Sequence, residues 1–203
     1  PRITNGRKLL EYIVPAPVVL NARDFGLPQN RLRLFLVAIR SDVAEGAGLS
    51  EESASIWPSA THKRDHLEVS QILEHNVPDK YTISPRLWQS HQARKKRNKA
   101  AGKGFGYQAF RPTDKYVSTI SARYFKDGAE ALILQEGKPP RKLTPREGAR
   151  LQGFPEHFQL HSSDMKAFKQ IGNAVPVSVV NEIALRIFDL GLLGDINKPR
   201  PIR

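Results

Sequence analysis

Apolar positions along the 203 residues fall into short runs whose spacing changes from about two near the amino end to about three and a half near the carboxyl end. Tyr12–Arg40 reads as two strands joined by a turn, with Gly26 and Pro28 marking the break. From Leu34 to Ile39 both faces are apolar, the pattern of a sheet covered on both sides. Ser41–Asp65 is polar and rich in small residues, which predicts a loop or linker. Leu67–His75 predicts a short helix. A longer one begins with Ser84 as cap and Pro85 in its first turn. It carries a dense set of cations and dissolves at Gly102, Gly104 and Gly106.

Lys115–Phe125 and Ala129–Gln135 are rich in strand formers. The pattern then turns helical. Thr144 and Glu147 have the spacing of a capping box, with Pro145 between them, and Gly153 and Pro155 stop that helix. A second helix is predicted over Pro176–Leu190, striped by Val179, Val180, Ile183, Ala184, Ile187 and Leu190 and closed by Gly191. The chain thus starts in a sheet, leaves it for a basic irregular region and returns to helices. It shows neither an internal repeat nor a low-complexity tract.

Two arginines stand out against this pattern. Arg31 and Arg33 open an otherwise apolar strand run, and residues two apart in a strand point the same way. Charge in such a place is costly unless it is paired or used, so both guanidiniums are expected to meet one partner. A formal charge of +12 points to a polyanion. The chain has no cysteine, which excludes disulfides, thiolate metal sites and a cysteine nucleophile within these residues. No apolar run approaches the ~20 residues of a membrane span, and no secretory signal opens the chain, so the expected setting is cytoplasmic, without a membrane. No metal-spaced histidine set, Ser-His-Asp order or phosphate loop is present. "GKGFGY" follows a basic helix rather than a strand and so does not read as a nucleotide fingerprint.

Three segments in order, "PQNRLRLFLVAIR", "RKLTPREGARLQGFPEHF" and "KQIGNAVPVSVVNEIA", closely resemble the last three signature motifs of the DNA (cytosine-5) methyltransferases. The segment between the first two falls where that family carries its target-recognition domain. The front half of the family holds the S-adenosylmethionine loop, the Pro-Cys nucleophile and a Glu-Asn-Val segment, none of which is seen here. The resemblance therefore implies the carboxyl half of such an enzyme, either one subunit of a split methyltransferase or a piece of a longer chain. In that family a flipped cytosine is attacked at carbon six by a cysteine thiolate and methylated at carbon five.

By resemblance, Arg33 is the candidate donor to the cytosine carbonyl, a role akin to an oxyanion hole. Arg31 is expected to support the pocket and the nucleophile loop, and Gln29 to help hold the DNA or that loop. Asn173, Ala174 and Val175, after a tight turn at Gly172, are expected to face the methionine end of S-adenosylmethionine. Arg146, Glu147, Arg150 and Gln152 read as structural. Thr119 is expected at the phosphate of the flipped nucleotide, and Arg123 at a phosphate or base. Arg86, Arg94, Lys95, Lys96, Arg97, Lys99 and Lys103 supply cations for the DNA backbone, while glycines near Phe105 and Tyr107 let the main chain approach a groove.

The implied fold class is α/β, a partial Rossmann-like methyltransferase sheet completed by a partner half, plus a small irregular β-rich recognition domain. The expected boundaries are 1–45 for catalytic-domain strands, 46–140 for target recognition and 141–203 for helices returning to the cofactor-site wall. The expected partners are double-stranded DNA and the amino-terminal half bearing the cysteine. A restriction-modification setting follows from family habit. A non-enzymatic DNA-binding module and a transfer-RNA cytosine-5 methyltransferase are the alternatives.

Overall fold

The computed structural model describes residues 3–4, 7–8, 10–49, 56–58 and 67–193. The strands up to residue 40 are short: β1 (Ile3–Thr4), β2 (Arg7–Lys8), β3 (Tyr12–Ile13), β4 (Val18–Asn21), β5 (Gln29–Asn30), β6 (Leu32–Phe35) and β7 (Ile39–Arg40). Helix α1 (Ser41–Gly46) follows, then α2 (Val69–Ile72), α3 (Pro85–Ala100), β8 (Ala109–Phe110), β9 (Val117–Ser118), β10 (Leu132–Gln135) and β11 (Lys138–Arg141). The chain ends in α4 (Pro145–Leu151), α5 (Asp164–Asn173) and α6 (Val177–Asp189). The class is α/β.

Contacts divide the described residues into two units. The first comprises those of Pro1–Leu20, Leu32–Ala60 and Val179–Arg203; the second comprises those of Asn21–Arg31 and Thr61–Ser178. In the first unit β3 pairs antiparallel with β7, and β4 pairs with β6. Ile39, Ala44, Ile56 and Leu192 are buried together, with Ile13, Val37, Val43 and Trp57 against them. Part of the segment read as a linker therefore belongs to a core: α1 contributes Ala44, Ile56 is fully buried, and the Trp57 indole donates to Ala16 O at 2.8 Å. Its small polar composition concealed the few apolar residues that anchor it. The expectation of a sheet covered on both faces is also corrected. Phe35 and Val37 turn inward, but Leu32, Leu34 and Leu36 are 56%, 68% and 63% exposed. Along α6, Val179 and Ile183 are buried whereas Val180, Leu185 and Phe188 face outward.

The core of the second unit gathers Val117, Ile120 and Tyr124 with Leu143, Leu151, Phe168 and Ile171. β10 lies between β11, antiparallel, and β8, parallel. β5 pairs in parallel with β9, placing Gln29 opposite Val117 and Asn30 opposite Ser118. The Ser84 cap of α3 accepts from Leu87 N at 3.2 Å. The Thr144–Glu147 capping box of α4 is complete in both directions, as its spacing requires.

Besides α1 and the short strands β1, β2 and β8, neither β11 nor α5 was foreseen. β11 contains Pro139 and Pro140, which remove ladder donors, yet their carbonyls still serve: Pro140 O accepts from Ile83 N at 3.1 Å. Helix α5 occupies a stretch without a side-chain cap at its start and buries Ala167, Phe168 and Ile171. Asp164–Asp189 is apolar enough by composition to cross a membrane. It is nevertheless two helices, interrupted by non-helical Ala174–Pro176 where Pro176 has no N–H to continue the ladder.

Candidate functional site

The run containing the two arginines is not one continuous strand. Asn21 ends β4, and its side-chain oxygen accepts from Arg23 N at 3.4 Å and Arg31 N at 2.9 Å; its amide donates to Asn30 Oδ1 at 2.7 Å. Gly26 closes the intervening turn with φ 85°, a conformation that favours glycine. Arg31 consequently sits in the gap between β5 and β6, in the second unit, and Arg33 lies on β6 in the first.

Arg31 is 1% exposed. Its guanidinium donates to Ile120 O at 3.0 Å, Gly172 O at 2.8 Å and Ala174 O at 2.8 Å. The last carbonyls of a helix have no intrahelical donor and carry the negative end of its dipole, so a buried cation there is satisfied and satisfies. One side chain therefore ties the first motif both to the Thr119–Ile120 element and to the turn after α5. Gly172 is part of the same joint. It lies inside α5 rather than in a tight turn, which corrects its expected role, and a Cβ there would come 2.3 Å from Ala122 N. Glycine is required by the approach of two backbones.

Thr119 Oγ1 donates to Asn30 O at 2.7 Å, which orients the hydroxyl and commits its proton. A phosphate at this point must be met by another group or must displace that bond. Gln29 is fully buried, and its amide donates to Leu151 O at 3.5 Å, so it braces the end of α4, inside the second motif, and does not face outward. Arg33 is half-buried and donates only to its neighbour Leu32 O, at 2.7 Å, among the described residues. Asn173 and Val175 are exposed, and the Asn173 carboxamide has no hydrogen bond among the described residues. With the Gly172 and Ala174 carbonyls held on Arg31, this turn offers an amide donor and acceptor outward, a set that fits the polar amino-acid end of a cofactor.

The second motif is a brace. Glu147 is fully buried and pairs bidentately with Arg141 at 2.7 and 2.8 Å, while accepting from Thr144 N and Glu74 N at 2.8 Å each. Arg146 donates to Phe158 O at 2.9 Å. Arg150 pairs with Glu156 at 2.7 Å and reaches Ile72 O at 3.2 Å; its hydrogen bond holds the Glu156 carboxyl below the usual range. Gln152 donates to Ile171 O at 3.1 Å. Tyr124, which the sequence reading did not single out, donates to Ala131 O at 2.6 Å and accepts from Leu143 N at 2.8 Å. Its burial pushes the phenol pKa up. An isolated tyrosine in a strand-like run gave no signal for that role.

The cations of α3 divide in two. Arg94 turns inward to His91 Nδ1 at 3.1 Å and lies 3.7 Å from Asp127; Lys95 donates to Tyr107 O at 3.1 Å and sits 4.3 Å from that ring. Both are more committed to the fold than expected. Arg86, Lys96, Arg97, Lys99, Lys103 and Arg123 are exposed without a side-chain partner among the described residues. A cleft of about 350 Å³ opens among Arg23, Leu27, Leu67, Glu68 and Tyr116; none of the expected site residues lines it.

Residues 3–189 match the C-5 cytosine-specific DNA methylases, and the chain is a member of that family. S-adenosylmethionine is the methyl donor of the family. Among curated relatives, the Type II methyltransferase M1.ScrFI of Lactococcus lactis subsp. cremoris is 46% identical over 188 residues, 93% of this chain and 46% of the relative. The Type II methyltransferase M.NlaX of Neisseria lactamica is 50% identical over 166 residues, 82% of this chain and 50% of the relative. The chain thus spans about half the length of these curated relatives. The fold is also that of the Entamoeba histolytica methyltransferase EhMeth, with a TM-score of 0.64 at 20% identity over 88% of this chain and 54% of that one. The S. pombe Dnmt2 methyltransferase gives 0.64 at 18% identity, covering 89% and 58%.

Proposed function

We propose that this chain is the carboxyl-terminal part of a DNA cytosine-5 methyltransferase acting on a cytosine flipped from a specific duplex site. The single observation that carries the reading is the Arg31 joint, which holds the first motif, the Thr119–Ile120 element and the third motif in one buried hydrogen-bonded cluster. A simple DNA-binding module has no use for a charge buried to brace an exposed asparagine turn.

In this reading Arg33 donates to the pyrimidine carbonyl, where negative charge develops as the ring is attacked, and Arg31 is a positioning residue. Asn173 and the backbone of Ala174 and Val175 hold the amino-acid end of S-adenosylmethionine, which supplies an electrophilic methyl group when bound. The cations of residues 46–140 hold phosphates, and that segment chooses the sequence. The thiolate comes from outside these residues, on the same or a separate polypeptide, in keeping with the absence of cysteine from all 203. The uncovered leucines of β6 support a cysteine-bearing half packed on that face.

Mixing this chain with a cysteine-bearing amino-terminal half, labelled S-adenosylmethionine and duplex DNA tests the reading. Methyl transfer by the mixture and by neither part alone is expected. Site-selective binding that no such half converts into methylation, or methylation of transfer RNA in place of DNA, refutes it.

A further inference from the structure

Immediately after α3 the chain displays an aromatic ring that the fold does not use. Phe105 is 75% exposed, although the loop bearing it is laced down on both sides. Lys103 N donates to Asn98 O at 2.8 Å, the Asn98 amide returns a bond to Phe105 O at 3.0 Å, and Lys95 holds Tyr107 O. Tyr107 is fixed in turn by an edge contact with Trp88, their ring centres 4.6 Å apart. Phe105 is therefore held out in water by an ordered frame.

The flanking glycines reinforce this. Gly102 has φ +67°, and a Cβ on Gly106 would strike Lys95 Cγ at 2.8 Å, so both have reasons within the chain. Gly104 has none: its φ is not left-handed, and a Cβ there would meet nothing within 4 Å. A bare backbone beside an exposed ring suits a surface that comes close from outside. The charge along this stretch says what that surface is, because Lys103, two residues before Phe105, and Lys96 and Lys99 on the preceding helix are exposed and cationic.

We propose that Phe105 is an apolar wedge placed against the bases of double-stranded DNA, while the neighbouring lysines hold its phosphates. Aromatic and other apolar side chains commonly enter base steps in this way. The inference rests on the DNA-methyltransferase reading and adds to it the residue that touches bases. A ring contact releases no counterions, so it raises affinity without steepening the salt dependence, whereas each phosphate-bound lysine adds close to one to that slope.

The test is binding of the full 203-residue chain to a fluorescein-labelled mixed-sequence duplex over a range of salt concentrations, for Phe105→Ala, Phe105→Trp and Lys103→Ala. Phe105→Ala is expected to weaken binding by about fivefold to a hundredfold at every salt concentration with an unchanged slope. Phe105→Trp should restore affinity, and Lys103→Ala should flatten the slope. Equal melting temperatures exclude a folding effect, since the ring packs on so little. Binding by Phe105→Ala within twofold of the parent overturns the inference, as does a loss accompanied by a flattened slope. Failure of the unaltered chain to bind any duplex overturns instead the reading on which the inference rests.

Discussion

Arg31 and Arg33, two residues apart in one motif, should fail in opposite ways when each is replaced by methionine. Arg31→Met removes the donor to three carbonyls, of which those of Ile120 and Gly172 belong to buried residues and cannot turn to water. Leaving each of these two buried acceptors unsatisfied costs about 1–3 kcal/mol, and the apolar replacement recovers part of the desolvation of the guanidinium, so the net loss is about 2–4 kcal/mol. In a chain of 203 residues this lowers Tm by roughly 4–16 °C. Arg33→Met removes one bond to an adjacent exposed carbonyl and should cost within about 0.5 kcal/mol. Its effect belongs in the reconstituted enzyme, where losing one donor to developing charge lowers kcat by about 10²–10³. Thermal unfolding is best read in a Trp57→Phe background. Trp88 is then the only tryptophan, and it lies in the unit that contains Arg31. Equal shifts in Tm for the two variants, or a fall of under about 2 °C for Arg31→Met, would refute the assignment of positioning to one arginine and chemistry to the other.

Glu147→Ala should cost about 3–5 kcal/mol, because it strands the buried Arg141 guanidinium and two backbone donors; a loss under about 1 kcal/mol in denaturant titration contradicts that. Gly172→Ala should lower Tm although alanine is the better helix former by about 1 kcal/mol, since the added carbon meets Ala122 N at 2.3 Å. An unchanged or raised Tm would count against the close approach. Partial burial alone raises the Asp164 pKa, but the Lys80 ammonium at 3.0 Å and the Tyr81 hydroxyl at 2.8 Å outweigh it and hold the carboxyl below its ordinary value. A depressed folded pKa gives stability above the unfolded pKa that is lost as pH falls through the folded one. Asp164→Asn should therefore lower Tm at neutral pH by the equivalent of about 1 kcal/mol or less, given its exposure, and the difference should close in acid. A difference that widens as pH falls has the wrong sign.

What could be read from the residues was what depends on near neighbours in sequence. The Ser84 and Thr144 caps and the glycine stops are local rules, and the structure follows them; the predicted stripe of α6 holds at Val179 and Ile183 but not at Val180 and Ala184, which are exposed. What could not be read depends on partners far along the chain. Strand alternation assigns Arg31 and Arg33 to one face, but alternation holds only while the strand continues. Asn21, ten residues before Arg31, takes the Arg31 N–H and ends that continuity. Gly172 looked like a turn because its reason for being glycine is a backbone some fifty residues away, and no spacing rule sees Ser121 and Ala122. The leucines of β6 mark a different limit. Their alternation is legible, yet which face is covered depends on what packs there, and among the described residues nothing covers it. The three motifs succeed as signals for the reason that local patterns fail: they mark residues such as Arg31 and Gly172 whose identities are set jointly across more than a hundred residues by one buried joint. A chemist given only hydropathy would place α2, α3, α4 and α6, overlook α1 and α5, and still miss the contact on which the proposed site depends.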